Sequence, residues 1–241
     1  MSRRRVNTTK IEIIQVAMKK FLENGFSNTT AKSICEELDI STGNLTFYFP
    51  TKEHMLAVLV EMLGEFQWKM MEQLTDEGNS SLLALCLELP TIAAICEENE
   101  IAKDFYISAY SHPMTLDIIR RSDEEKAKAV FGEYCAGWTN QNFAEAEVLV
   151  SGIEYATLMT TSDVAPLDVR VAGALNSIMM IYNVPEEIRS MKVDKILAMD
   201  YRSIGRRILE DFKEYVEEVN EQALDDLIEK RSKNANEKQT E

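Results

Sequence analysis

Apolar residues recur at helical spacing along nearly the whole chain, and no stretch of useful length alternates as a strand does. The first such segment ends at Asn24-Gly25, a pair typical of helix C-termini, and Thr8 or Thr9 is placed to cap its start. Its apolar face holds Ile11, Ile14, Met18, Phe21 and Leu22. The pattern therefore predicts an amphipathic helix close to the N-terminus.

Three more helices are predicted between residues 30 and 74. The second is short and breaks at Asp39, and Ser41 is placed to cap the third. Pro50 ends the third helix because proline cannot continue a helical backbone. Thr51 then begins a fourth, long helix. The second helix turns an apolar face inward, formed by Ala31, Ile34, Cys35 and Leu38.

The rest of the chain also predicts helices, separated by glycine, asparagine and proline. With only nine glycines and no strand pattern, the fold class is all-α. Pro90 is expected to kink the first of these helices, and the piece after residue 183 is less regular. The predicted helices cover about 80–98, 100–110, 113–136, 141–161, 165–183 and 200–230.

The second and third helices, joined by a tight turn, predict a helix-turn-helix that reads DNA. A recognition helix needs small or polar residues where it enters the major groove. Asn44 pairs best with adenine, and the hydroxyls of Thr46 and Tyr48 and the ammonium of Lys52 suit phosphates. Thr29 and Thr30 are further candidate contacts. The residues predicted to face outward on the third helix are Thr42, Gly43, Asn44, Thr46, Phe47 and Tyr48.

Charge separates the N-terminal fifth from the rest. The chain has a net charge of -15, yet residues 1–52 hold eight lysines and arginines against five acids. A basic start on an acidic body favours an anionic partner for the N-terminus alone. Arg4, with Arg3 and Arg5, predicts either a mobile arm that reaches DNA or a solvated tail.

Composition narrows the remaining function classes. No window is long and apolar enough for a membrane helix, and the N-terminus lacks the apolar region of a secretory signal, so we expect a cytoplasmic protein. Two histidines and four unpaired cysteines predict no metal site and no cofactor. Without a phosphate loop or a catalytic triad motif, an enzyme is not expected.

The stretch "TTAKSICEELDISTGNLTFYFPTKEHML", from Thr29 to Leu56, resembles the N-terminal DNA-binding domain of the TetR family (TetR/AcrR type) of bacterial transcription regulators. Two positions depart from the family pattern. Asp39 replaces the turn glycine, and Asp tolerates a left-handed backbone better than most residues. Thr46 replaces the usual phosphate-contacting tyrosine. The matching positions are Thr29, Thr30, Ile34, Ile40, Ser41, Gly43, Leu45, Phe47, Phe49, Lys52, Glu53 and Leu56.

The resemblance implies a division of the chain into a DNA-binding domain at 1–52, a helical effector-binding and dimerisation domain at 53–230, and a disordered polar tail at 231–241. It also implies a homodimer built from two helices of each subunit. Candidate interface residues are Leu149, Gly152, Ile153, Ala156, Leu175, Ile178, Met179 and Tyr182, all of which fit an internal core equally well.

The resemblance further implies an effector pocket in the larger domain. Candidate lining residues are Trp68, Met71, Phe105, Tyr106, Tyr110, Trp138, Tyr155 and Met159. The leading function is a ligand-responsive repressor that binds a palindromic operator in double-stranded DNA as a homodimer, at the nucleoid, and is released by a small molecule. The alternative is a DNA-associated structural or regulatory protein with no effector and no internal apolar cavity.

Overall fold

The computed structural model describes residues 10–75, 81–160, 162–220 and 222–226, and no strand occurs within them. The N-terminal arm with Arg4 and the tail at 231–241 lie outside the described residues. The helices are α1 (Lys10–Asn24), α2 (Ala31–Leu38), α3 (Thr42–Tyr48), α4 (Lys52–Leu74), α5 (Leu82–Glu98), α6 (Glu100–Ser111), α7 (Pro113–Phe131), α8 (Asn140–Met159), α9 (Leu167–Ile181), α10 (Glu186–Leu197) and α11 (Tyr201–Glu218).

The predicted all-α class is confirmed, and one helix was missed. The stretch after residue 183, expected to be irregular, contains α10, in which Ile196 is the only buried residue among those described. A helix without an apolar face gives no periodic signal. The ends of α10 do have sequence signals. Pro185 precedes the helix, Glu186 and Glu187 lie in its first turn, and Lys195 lies in its last turn.

The N-terminal helices form where capping predicts them. Thr30 caps α2 through its hydroxyl, which accepts the backbone N–H of Ser33 at 3.1 Å. Asp39 ends α2 in the left-handed region with φ 50°, which confirms that an aspartate can make this turn. Ser41 caps α3 by accepting the N–H of Asn44 at 3.2 Å. These caps set the orientation of α3 relative to α2.

Helix α5 is the centre of the larger body. Thirteen of its 17 residues are buried, including Pro90, so the helix is apolar on all sides. It packs against α4, α6, α8, α9, α10 and α11. No described helix is long and apolar enough to cross a membrane.

The N-terminal helices join the body at three places besides α4. Asp104 on α6 accepts the backbone N–H of Ser27 at 2.8 Å. The side-chain amide of Gln15 on α1 donates to the carbonyls of Val216 and Glu217, which end α11. The Lys10 ammonium lies 2.6 Å from a carboxylate oxygen of Asp225. The C-terminal region therefore holds α1 against the body.

Candidate functional site

The outer face of α3 is open to solvent. Thr42, Gly43, Thr46 and Phe47 are exposed, and Phe47 keeps 80% of its surface accessible. Buried Leu45 anchors the opposite side of the helix to the core, as does buried Phe49 just after it. An apolar ring this exposed, on a short and firmly anchored helix, is placed to contact a partner.

Tyr48 and Asn44 border this exposed face. Tyr48 is half-buried, packs on the core, and meets the Phe47 ring edge-on at a centroid distance of 5.1 Å. Asn44 is half-buried, and within the described residues no hydrogen bond joins its side-chain amide. Its donor and acceptor therefore remain available to a base edge.

Gly43 and Thr46 have small side chains, so the outer face of α3 does not extend far from the helix backbone at these positions. A Cβ atom added at Gly43 would come no closer than 3.9 Å to the Ser41 hydroxyl, so packing within the chain does not require glycine here. The Thr46 hydroxyl donates to the Thr42 carbonyl at 3.0 Å and keeps its lone pairs for an incoming donor. A phosphate oxygen has no proton to give, so Thr46 suits it less than predicted.

Thr29 does not belong to this face. Its side chain is 2% exposed and its hydroxyl donates to the Gly25 carbonyl at 2.8 Å. The predicted DNA contact of the Thr29 side chain is therefore corrected to a structural role in the turn between α1 and α2. Thr30, one residue later, is exposed and available beside its capping bond.

The side chain of Lys52 also makes contacts within the protein. Its ammonium donates to the carbonyls of Phe26 at 2.9 Å and Thr29 at 3.2 Å, and lies 4.1 Å from the centroid of the Phe26 ring. Two of its three protons are therefore used inside the protein. These bonds tie the start of α4 to the turn before α2, and the phosphate contact through the third proton of Lys52 stays a prediction.

The described part of the DNA-facing region has no excess of positive charge. Residues 10–52 contain five lysines and five acids, and Glu37 binds Lys19 and Lys20. The surplus of the first 52 residues therefore comes from Arg3, Arg4 and Arg5, outside the described residues. A phosphate-binding role of this region depends on that arm.

A second candidate site is a cavity of about 610 Å³ that lies between α4, α5, α6 and α7 and opens to solvent. Four predicted pocket residues line it: Trp68, Phe105, Tyr106 and Tyr110. Tyr155 does not line this cavity, and Met159 is exposed on the surface. Met71 is core, and Trp138 packs edge-on against Phe143. These four predictions are corrected, because helical spacing cannot tell which of several buried faces borders a cavity.

Polar residues in the cavity wall were missed. Gln67 on α4 and Tyr106 on α6 are each 3% exposed, and the Gln67 side-chain nitrogen and the Tyr106 hydroxyl have no hydrogen-bond partner among the described residues. Burial raises the pKa of Tyr106 far above its usual value, so it stays a neutral phenol. A signal for Gln67 existed, because it lies between Leu63 and Met71 on the apolar stripe of α4.

Four carboxyl groups from α5, α7 and α8 lie beside the cavity, and two of them bind one lysine. The Lys126 ammonium lies 3.1 Å from carboxylate oxygens of both Glu88 and Asp123. Farther along, Tyr182 donates its hydroxyl proton to Glu147, and Tyr110 donates to Glu154 at 3.1 Å. Burial, reinforced by the charge of Asp123, raises the pKa of Glu147 to about 8 and that of Glu154 well above its usual range.

A third surface runs along α8 and α9. Leu149 is 60% exposed, Gly152 and Ala156 are exposed, and Ile153 is half-buried, as expected of an interface on α8. On α9 the predicted residues point the other way. Leu175, Ile178, Met179 and Tyr182 are buried in the core, so their assignment to an interface is corrected. The exposed side of α9 carries Val169, Gly173 and Met180.

Comparison with known proteins connects the N-terminal helices to one family. Residues 13–59 match the family model described as "Bacterial regulatory proteins, tetR family". The chain is 34% identical over 83 residues to the HTH-type transcriptional regulator QacR of Staphylococcus aureus, covering 33% of this chain and 44% of QacR. It is 24% identical over 106 residues to the uncharacterized HTH-type transcriptional regulator YuxN of Bacillus subtilis, covering 44% of this chain and 36% of YuxN. The chain thus spans less than half the length of these relatives.

Two solved structures are also similar. A gamma-butyrolactone receptor (ArpA-like protein) aligns with a TM-score of 0.43 at 17% identity, covering 84% of this chain and 96% of that chain. Salmonella enterica GusR aligns with a TM-score of 0.44 at 20% identity, covering 71% and 92%. The match at 13–59 spans α2, α3 and the start of α4, where the caps and the exposed face were found. Through residues 13–59, the chain matches the N-terminal region of the TetR family of bacterial regulatory proteins.

Proposed function

We propose that this protein is a transcriptional regulator that binds a palindromic operator in double-stranded DNA as a homodimer and releases it when a small molecule binds. The observation that carries the proposal is the exposed face of α3, anchored from behind by Leu45 and Phe49. Residues 1–52 would bind DNA, and residues 53–230 would bind the effector and the second subunit. The two recognition helices of the dimer would enter major grooves about 34–36 Å apart.

Each residue of the α3 face has a distinct expected role. Asn44, with its free amide, reads a base edge, and Gly43 lets the helix approach the groove closely. Tyr48, held by the core, directs its hydroxyl at a phosphate, and Phe47 offers apolar contact with a sugar or a thymine methyl group. Arg4 in the N-terminal arm supplies the charge that the described surface lacks.

Helix α4 would couple the two sites. It begins at Lys52, four residues after α3 ends, and lines the cavity from Val60 to Trp68. A ligand that prefers one position of α4 shifts the spacing of the two recognition helices by its difference in affinity for the two states. An open cavity of about 610 Å³ beside α4 supports the ligand-responsive form over the alternative without an effector.

The subunits would meet through the exposed sides of α8 and α9. Leu149 is a large apolar residue in this surface, and Gly152 and Gly173 have no heavy atom within 4 Å of an added Cβ. Small residues between large apolar ones allow two helices to approach closely, and such a patch is uncommon on a monomer. The further apolar members of this surface are Val148, Ala156, Met159, Val169 and Met180.

Leu149→Glu is expected to convert the dimer to monomer. Burying a carboxylate without a partner costs several kcal/mol, roughly enough to weaken association a hundredfold or more. Sedimentation velocity over a range of concentrations measures the change. Met191→Glu on α10 is the control, because Met191 is 57% exposed and lies outside the proposed interface. A dimer that persists in Leu149→Glu, or dissociation in both variants, would contradict the interface.

The DNA-binding proposal is tested by fluorescence anisotropy with the DNA upstream of the coding sequence and a scrambled duplex, across a salt series. Wild type is expected to bind the first duplex at least about a thousandfold more tightly than the second. Asn44→Ala should remove about 1–3 kcal/mol of that preference, and Tyr48→Ala should weaken both complexes. Glu187→Ala, an exposed change on α10, is the control. Equal and weak binding of the two duplexes would contradict operator recognition at this site.

A further inference from the structure

Two of the buried polar groups in the cavity wall are donors whose hydrogen-bonding capacity is unused. The side-chain nitrogen of Gln67 and the hydroxyl of Tyr106 are buried in its wall without a partner among the described residues. Leaving a buried donor unpaired costs about 1–3 kcal/mol, so such groups are rare unless a water molecule or a ligand accepts their hydrogen bonds. Both groups can give a proton, and the Gln67 amide nitrogen can only give. They therefore call for an acceptor inside the cavity.

The wall also holds apolar and aromatic side chains beside its charged residues. Trp68, Phe105 and Tyr110 bring aromatic rings from α4 and α6, and Ile92 and Ile118 close α5 and α7 around them. A cavity of about 610 Å³ is within the usual size range for organic ligands. Apolar walls with a few placed polar groups are the usual design of such sites, the walls giving affinity and the polar groups orientation.

Charge argues against an anionic acceptor. The lining holds six carboxyl groups and three cationic side chains, which leaves a formal excess of three negative charges. Its innermost cation, Lys126, already binds Glu88 and Asp123, and Lys128 binds Glu124. A carboxylate or phosphate ligand would therefore be repelled by the net negative charge of the lining and would find no unpaired cation to bind.

A cationic ligand meets the opposite difficulty. An ammonium group has protons to give and no lone pair to accept with, so it leaves Gln67 and Tyr106 unsatisfied. The Lys126 ammonium also lies 5.6 Å from the Trp68 ring centroid, where it already occupies the cation position over that ring. An organic cation in the cavity would therefore leave both donors without an acceptor.

We propose that the cavity binds an uncharged, largely apolar organic molecule by one oxygen of carbonyl type, which accepts hydrogen bonds from the Gln67 amide and the Tyr106 hydroxyl. The inference names the effector class for the site and rests on the proposed function for its biological meaning. A carbonyl oxygen has two lone pairs and so can satisfy both donors at once. Exposed Glu125 and Ala129 mark the side on which the ligand would enter.

The test uses three probes with one phenylalkyl body: 6-phenylhexan-2-one, 6-phenylhexanoate and 6-phenylhexan-2-amine. Isothermal titration calorimetry on the full chain is expected to show the ketone binding about tenfold or more tightly than the other two. Quenching of Trp68 in a Trp138→Phe background places the probe, because Trp68 lines the cavity and Trp138 does not. Equal affinities, tighter binding of either charged probe, or no ketone binding at its solubility limit would overturn the proposal.

Two conservative variants test the donors. Tyr106→Phe and Gln67→Leu are each expected to lower ketone affinity about tenfold while leaving amine affinity unchanged. Tyr134→Phe is the matched control, because Tyr134 lies outside the cavity lining. Both cavity variants remove a buried group without a partner, so their unliganded stability should equal or exceed that of wild type. Unchanged ketone affinity in both would overturn the proposal.

DNA binding without any probe is measured on the same preparations, which separates this inference from the proposed function. Operator binding by wild type with no ketone preference leaves the regulator intact and overturns the ligand class. A ketone preference that depends on Gln67 and Tyr106, together with absent operator binding, supports the ligand class and contradicts the regulator. Release of operator DNA by the ketone in wild type, but not in Tyr106→Phe at the same concentration, supports both.

Discussion

Glu147→Gln is expected to raise the free energy of unfolding, by an amount that grows from pH 5 to pH 8. Glu147 is 2% exposed, and burial raises its pKa to about 8, against an ordinary value of 4.5. Burial is the largest cause of this net value, the charge of Asp123 adds to it, and the hydrogen bond from Tyr182 and the charge of Lys126 oppose it. The net effect is a carboxyl group that the folded protein keeps protonated at neutral pH.

The sign of the effect follows from proton binding. Between pH 4.5 and pH 8 the folded state holds a proton on Glu147 that the unfolded chain has already lost, so wild-type stability falls as pH rises through this window. The loss approaches about 1.4 kcal/mol per pH unit for one proton and stops above the folded pKa. Glutamine has no titrating proton and still accepts the hydrogen bond from the Tyr182 hydroxyl. The stability of the variant therefore does not fall with pH at this position.

Urea denaturation at pH 4, 5, 6, 7 and 8 measures the difference between variant and wild type. The two should be nearly equal at pH 4 and diverge steadily above pH 5. Glu145→Gln is the control, because Glu145 is an exposed carboxylate on the same helix. A constant difference across the range, or an equal pH dependence for Glu145→Gln, would show that Glu147 is ionised in the folded protein.

Gly205→Ala is expected to cost about 3 kcal/mol of stability or more, as overpacking against a rigid neighbour does. A Cβ atom at this position on α11 would lie 2.6 Å from the Thr91 carbonyl oxygen and 3.2 Å from a side-chain carbon of Ile95. The carbonyl belongs to the backbone of α5, the central helix, and cannot move without displacing that helix. The two helices would have to separate along their contact.

Gly64→Ala is the matched control. It is also a glycine within a helix, but its added Cβ would come no closer than 3.9 Å to the Ser122 hydroxyl, so alanine should stabilise the helix by about 0.5–1 kcal/mol. The urea midpoints are compared at one protein concentration, because a dimer gains stability with concentration. Equal effects of the two substitutions would mean that α11 does not press on α5 as closely as described.

Loss of the α5–α11 contact is also expected to weaken DNA binding. The end of α11 accepts hydrogen bonds from Gln15 on α1, so the C-terminal helix supports the N-terminal helices that carry α3. A displaced α11 would free α1 from the body, and operator affinity should fall with stability.

The DNA-facing region shows what local patterns can and cannot predict. Caps and breakers act within a few residues, so Thr30, Ser41 and Pro50 located α2 and α3 correctly. Which hydroxyl or ammonium reaches the surface depends on residues distant in sequence. Thr29 and Lys52 were expected at DNA, yet each is bonded to backbone carbonyls of the turn before α2. No local pattern contains those carbonyls.

The sequence by itself determined the all-α class, most helix boundaries and the family, because helical periodicity, capping and the motif at 29–56 are local properties. Only the tertiary structure decided which side of α9 is exposed, that Gln67 and Tyr106 share one cavity, and that Lys126 binds both Glu88 and Asp123. These facts depend on how separate helices pack. Helical periodicity identifies an apolar face, but it does not specify whether that face meets the core, a cavity or another subunit.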